Sequence, residues 1–130
     1  MPEKKHTLLL VEDNEDLLAL MVKLLGAEYD ICTATDGKEA LEVVESADID
    51  LIVSDVMMPV MDGIEFCKAV KGNFDTSHIP LILLTAKSKE EDRVEAYESG
   101  ADAFIAKPFN LSILPVSYTH LRAHETSLHL

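Results

Sequence analysis

The chain has 130 residues, with 24 Asp and Glu against 11 Lys and Arg and a net charge of -13, a length that suits one domain. With 48% hydrophobic and 27% charged residues it can bury roughly two-thirds of the surface an unfolded chain exposes, which excludes global disorder. The negative charge repels a phosphate backbone and no basic run is longer than Lys4-Lys5, so direct nucleic-acid binding is not expected.

The first β-rich run is Thr7 to Val11, and its apolar part, Leu8 to Val11, is too short for a signal peptide. The longest uncharged apolar stretch, Ile79 to Ala86, is far below the ~18 residues that span a bilayer. A soluble, cytoplasmic chain without membrane insertion is expected. After the first run, Leu17, Leu18, Met21, Leu24 and Leu25 share one helical face. A second β-rich run, Asp30 to Thr35, precedes a helix with Ala40, Leu41, Val43 and Val44 inward; Asp36 and Glu39 have capping-box spacing at its start. Leu51 to Ser54 is the third run, followed by a helix carrying Ile64, Phe66, Cys67 and Val70 and opened by Asp62 with Glu65. Leu81 to Thr85 is the fourth. A weaker helix, Ser88 to Ser99, rests on Val94, Ala96 and Tyr97, with Ser88 and Glu91 at its start, and Ala103 to Ala106 is the fifth run. Cys32 and Cys67 form no CxxC pair and are too few for a disulfide scaffold, as a reducing compartment allows.

Runs such as Leu8 to Val11 and Leu81 to Leu84 are apolar without alternation, which is the pattern of strands covered by helices on both faces. The β-α repeat therefore points to an α/β fold with a doubly wound parallel sheet and right-handed crossovers. Near the end the pattern breaks. Asn110 is placed to cap a last helix through Leu111, Ile113 and Leu114, but Pro115 falls at about its fifth position and costs roughly 3 kcal/mol there. A truncated or disrupted last helix is expected. Residues 115–130 hold His120, His124 and His129 but one acid, Glu125. They read as an atypical tail foreign to the domain, such as a change of reading frame would leave. His124 to His129 has one residue too many for the zinc-protease HExxH motif, and Met57, Met58 and Met61 read as loop and core packing.

Polar residues fall at one end of the runs: Glu12 and Asp13 after the first, Asp55 after the third, Thr85 ending the fourth and Lys107 after the fifth. In a parallel open sheet these positions all project from the carboxyl edge, where ligands bind. Taken singly, each has an ordinary reading as a helix-start acid, a β-former or a solvated charge. Their joint placement does not. Three carboxylates in one crevice repel one another unless a cation lies among them, and hard oxygen donors without thiolate or imidazole suit Mg²⁺. Asp55 is then placed to attack a phosphoryl group while Lys107 and the Thr85 hydroxyl hold its oxygens, giving an aspartyl phosphate.

The chain resembles a response-regulator receiver domain of bacterial two-component signalling, similar to the chemotaxis regulators. The resemblance is carried by Glu12-Asp13 in LLLVEDN, Asp55 in DLIVSDVMMPVMDG, Thr85 in PLILLTA and Lys107-Pro108 in GADAFIAKPF, and covers residues 5–114. It implies a flavodoxin-like five-stranded sheet in the order 2-1-3-4-5 with flanking helices. Asp55 would be the phosphoacceptor, Glu12 and Asp13 would hold Mg²⁺ together with the Met57 carbonyl, and the peptide before Pro108 would be cis, aiming Lys107 into the site. The donor would be a phosphohistidine on a histidine kinase or phosphotransfer protein. Thr85 and Phe104 would form the switch, Phe104 lacking the hydroxyl of the Tyr often found there, and Met57 and Lys87 would tune the phosphoryl lifetime. The output surface around the fourth helix, fifth strand and fifth helix would be affected by Pro115. An output domain in a longer native chain is compatible with the resemblance, as is a hybrid kinase, and the oligomeric state is left open.

Three other classes fit the residues less well. A haloacid-dehalogenase-type phosphatase needs an acid two residues after its nucleophile, and Met57 stands there. A flavin module would place its phosphate against Glu12 and Asp13 without a glycine-rich loop. A phosphorylation-independent protein-binding scaffold has no need of the complete polar set. The expected behaviour is that of a signalling phosphoacceptor rather than a turnover enzyme.

Overall fold

Leu8, Leu9 and Leu10 are fully buried at the centre of a parallel sheet, with helices against both faces. In a computed structural model, residues 6–85 and 98–106 are described. The elements run β1 (His6–Val11), α1 (Glu15–Leu25), β2 (Tyr29–Ala34), α2 (Gly37–Ser46), β3 (Leu51–Asp55), α3 (Gly63–Gly72), β4 (Leu81–Thr85) and β5 (Ala103–Ala106). The strands are ordered β2-β1-β3-β4-β5, and every neighbouring pair is parallel. The expected sheet order is therefore observed. The weaker helix expected over Ser88 to Ser99 falls largely outside the described residues. The last helix and the tail, residues 115–130, lie wholly outside them.

Alternate side chains point to opposite faces of a strand, and here both directions are apolar. Leu9, Val11, Ile52, Leu81 and Leu83 pack with Ala40 and Val44 of α2 and Ile64, Phe66, Cys67 and Val70 of α3. Leu8, Leu10, Leu51, Val53, Ile82, Leu84 and Ile105 pack with Leu18, Met21 and Leu25 of α1. Burying each such side chain contributes about 1.5–3 kcal/mol, so two-sided burial explains why these strands show no alternation in sequence. Edge strand β2 differs: Asp30 and Thr33 are exposed, as suits a strand with one free edge.

Three helix starts are capped by a side-chain oxygen. Asp36 accepts the Glu39 N–H at 2.8 Å and Asp62 the Glu65 N–H at 2.8 Å, as their spacing predicts. Asn14 accepts the Leu17 N–H at 3.1 Å, a cap the sequence reading did not assign; each such cap is worth about 1 kcal/mol. Leu24 departs from expectation. It is 55% exposed, and Leu20 is 49% exposed, because the inward positions of α1 are Leu18, Met21 and Leu25, and Leu24 is turned by about 100° from Leu25. Strand ends shift too. β2 starts at Tyr29, which is buried and pairs with His6, and β3 runs on to include Asp55.

At the amino edge of the sheet Lys71 ties three segments together. Its Nζ contacts the Asp102 carboxylate at 2.6 Å and donates to the carbonyls of Ile79 at 2.6 Å and Ser77 at 3.2 Å. The same Asp102 oxygen accepts the Leu81 N–H at 2.8 Å. Gly100, at φ 91°, brings the chain over the Lys71 stem just before β5. Nearby, the Cys67 thiol is directed at the Ser99 carbonyl at 3.5 Å.

Lys71→Met, which leaves those carbonyls and Asp102 without their cation, is expected to cost about 1–3 kcal/mol, read as a lower urea midpoint. Alkaline pH offers a second check. Burial pushes the Cys67 thiol above its ordinary 9.0, and burial together with the Glu28 carboxylate pushes the Tyr29 phenol above 10.0. The unfolded chain then releases these protons first, so stability is unaffected below pH 9.0 and falls as pH rises from 9.0 for Cys67, and from 10.0 for Tyr29, up to the raised value each group has in the folded chain. The urea midpoint should decline over that interval, and less steeply in Cys67→Ala.

Candidate functional site

Strand register brings the polar residues together. Val11 of β1 pairs with Ser54 of β3, so Glu12 follows on β1 as Asp55 does on β3. Asp55 pairs with Leu84, which puts Thr85 one step further along β4. Thr85 in turn pairs with Ala106, the residue before Lys107. Residues separated by tens of positions thus meet at the carboxyl edge of three adjacent strands.

Glu12 is 2% exposed and Asp55 6%, whereas Asp13 is exposed. One carboxylate oxygen from each of Glu12, Asp13 and Asp55 lies within 4.8 Å of the other two. Glu12 is anchored through the backbone. The Glu12 N–H donates to the Ala34 carbonyl at 3.0 Å, and Glu12 Oε2 accepts the Asn14 N–H at 3.1 Å, so the α1 cap and the acidic pair form one turn. Asp55 Oδ1 accepts the N–H of Val56 at 2.9 Å. Like charges this close are unfavourable without a compensating cation, and an all-oxygen donor set with one exposed member fits a hard divalent ion that keeps some of its water. The expected acidic ligands are therefore brought together.

Thr85 and Phe104 are both half-buried, Phe104 packing against the α2 and α3 side of the core. The Met57 side chain is 57% exposed. Met58 and Met61 pack against the core, as expected. Lys107, its peptide to Pro108 and Lys87 lie outside the described residues. Two glycines escaped the sequence reading. A Cβ on Gly63 would stand 2.1 Å from the Asp55 carbonyl oxygen, and one on Gly37 would stand 2.7 Å from the Met61 carbonyl oxygen. Their signal was present: each follows a capping aspartate, Asp62 and Asp36.

A family model described as the response regulator receiver domain matches residues 8–117. The chain belongs to this family. Receiver domains are the signalling modules of two-component systems. The receiver is 44% identical over 109 residues to a protein named histidine kinase P4 from Formosa agariphila, covering 84% of this chain and 8% of that protein. Indeed, the chain spans less than half the length of the first curated relatives it matches. Among solved structures, the signal receiver domain of a histidine kinase from Syntrophus aciditrophicus is 36% identical with a TM-score of 0.84, covering 92% of this chain and 91% of that one. The receiver domain of a sensor histidine kinase from Pseudomonas aeruginosa is 28% identical with a TM-score of 0.78, covering 90% and 97%. That structure is described with a magnesium ion coordinated in the active site cleft. Among the described residues of this receiver, no helix is long and apolar enough to cross a membrane.

Gly63→Ala tests the packing behind Asp55. With its Cβ 2.1 Å from the Asp55 oxygen and 2.9 Å from Val56 Cα, the backbone must move, and a loss of about 1–3 kcal/mol is expected. Gly72→Ala, with nothing within 4 Å, is expected to be neutral or to gain up to about 1 kcal/mol in helix propensity. Thermal unfolding of the two variants checks both.

Proposed function

We propose that this receiver accepts a phosphoryl group on Asp55 from a phosphohistidine of a histidine kinase or phosphotransfer protein. The observation that carries the proposal is the convergence of Glu12, Asp13 and Asp55 within 4.8 Å at the carboxyl edge of a receiver fold. An Asp55 oxygen attacks phosphorus in line, the P–N bond to the donor imidazole breaks, and its electron pair stays on the ring nitrogen. Mg²⁺ held by Glu12, Asp13, Asp55 and the Met57 carbonyl would screen the carboxylates and the charge on the phosphoryl oxygens. Glu12 is held in place by its bond from the Asn14 N–H, and Asp55 by its bond from the Val56 N–H. Both ligands are thus oriented before a donor arrives, which is what electrostatic preorganisation requires.

Thr85, level with the end of β5, would donate its hydroxyl to a phosphoryl oxygen, and Lys107 would neutralise another. Thr85 and the half-buried Phe104 then form the switch, whose equilibrium moves only as far as their contacts differ between the two states. The domain covers residues 5–114 in this reading, acts in the cytoplasm and works as a signalling module without turnover on outside substrates; Met57 stands where a phosphatase would carry its acid. An output domain in a longer chain would receive the signal.

Intact-mass spectrometry after incubation with acetyl phosphate and Mg²⁺ tests the assignment. One added phosphoryl group is expected in the wild type, and none in Asp55→Asn or with a chelator. Labelling that survives Asp55→Asn would overturn it.

A further inference from the structure

The turn after Asp55 is held at both ends. At its start the Val56 N–H donates to the Leu84 carbonyl at 3.2 Å and to Asp55 Oδ1 at 2.9 Å, and the Val56 carbonyl accepts the Gly63 N–H at 2.9 Å. At its far end the Met61 carbonyl accepts the Gly37 N–H at 3.0 Å, a bond from the first residue of α2. Between the two anchors lies a stiff span. Pro59 has its φ set by the ring. Val60, β-branched and with φ 67°, occupies the left-handed region that such residues avoid. The Met61 N–H reaches back to the Pro59 carbonyl at 2.7 Å, closing a tight three-residue turn of the strained kind. A conformation like this persists only where its surroundings hold it.

Gly37 supplies that hold because it has no side chain. A Cβ there would stand 2.7 Å from the Met61 carbonyl oxygen, 2.8 Å from its Cγ and 3.0 Å from its Cβ. Burial decides which partner would yield. The first turn of α2 is tied by the Asp36 cap and by Ala40, fully buried in the core. On the other side Met57 and Val60 are exposed, at 57% and 77%. The turn would move, and α2 would stay.

We propose that Gly37 is a positioning residue for the acidic site. By seating Met61 against the start of α2 it holds the 57–61 turn, and with it the Met57 carbonyl, in the place that a divalent cation shared with Glu12, Asp13 and Asp55 requires. This rests on the Mg²⁺-dependent phosphoacceptor reading above. It assigns α2 a part in metal binding, although none of the three acidic ligands lies on that helix.

The experiment measures Mg²⁺ affinity by titration calorimetry on the full chain, alongside acetyl phosphate labelling across Mg²⁺ concentrations. Gly37→Ala, with circular dichroism as in the wild type, is expected to bind Mg²⁺ about tenfold more weakly, the effect typical of losing a group that orients a ligand. Its labelling rate should return to the wild-type value at saturating Mg²⁺, which a merely damaged fold would not do. Gly72→Ala should bind as the wild type does. Unchanged Mg²⁺ affinity in folded Gly37→Ala would overturn the proposal. If that variant does not fold, Met61→Ala decides, since it removes the packing without adding a clash: weaker binding supports the proposal and wild-type binding overturns it. A wild-type chain that binds no Mg²⁺ would overturn the metal reading itself, and this proposal with it. Wild-type Mg²⁺ binding together with an unaffected Gly37→Ala would overturn the role of Gly37 alone.

Discussion

The parallel register between β1 and β3 is the constraint on which the site depends. With Val11 opposite Ser54, the acids that follow each strand arrive at the same edge. A slip of one residue would turn every side chain of β1 to the opposite face. Leu8 and Leu10 belong to one core cluster and Leu9 and Val11 to the other. Because both faces are apolar, burial alone would tolerate such a slip better than in a half-exposed sheet. The matching hydrogen-bond ladders to β2 and β3 and the anchoring of Glu12 to Ala34 supply the remaining specificity.

The two edges of the sheet carry different tasks. At the carboxyl edge, like charges are brought close and a strained turn is held beside them. At the amino edge, Lys71 and Asp102 satisfy carbonyls and an amide across α3, β4 and the approach to β5. The first arrangement raises the energy of the folded chain without a cation, whereas the second lowers it. The receiver fold accommodates both because the length of one strand, four to six residues with buried aliphatic side chains, divides the edges from each other.

Much of this was legible in the sequence. Apolar runs without alternation reported two-sided burial, and the acids and the threonine that end them reported the edge they share, because strand direction in a β-α repeat is uniform. The caps at Asp36 and Asp62 were local and therefore readable. Other features depend on contacts between distant residues. Gly37 on Met61, Gly63 on the Asp55 carbonyl and Lys71 on Asp102 are set by how helices settle on the sheet; the capping aspartates mark the two glycines, but residue type alone does not report what they touch. Leu24 shows the opposite limit: an apolar residue beside a buried stripe was assigned to it, although the helix had already turned past the core.

The crowding of Glu12, Asp13 and Asp55 also bears on how such a chain changes under selection. Unfolded, Glu12 and Asp55 are far apart in sequence, so their repulsion is a burden of the native state alone. Substitutions that neutralise one of them would tend to stabilise the fold while removing the proposed cation site, the familiar opposition between stability and activity. A lineage freed from the need to signal would drift toward a more stable but silent domain, because nothing would then oppose the loss of that repulsion.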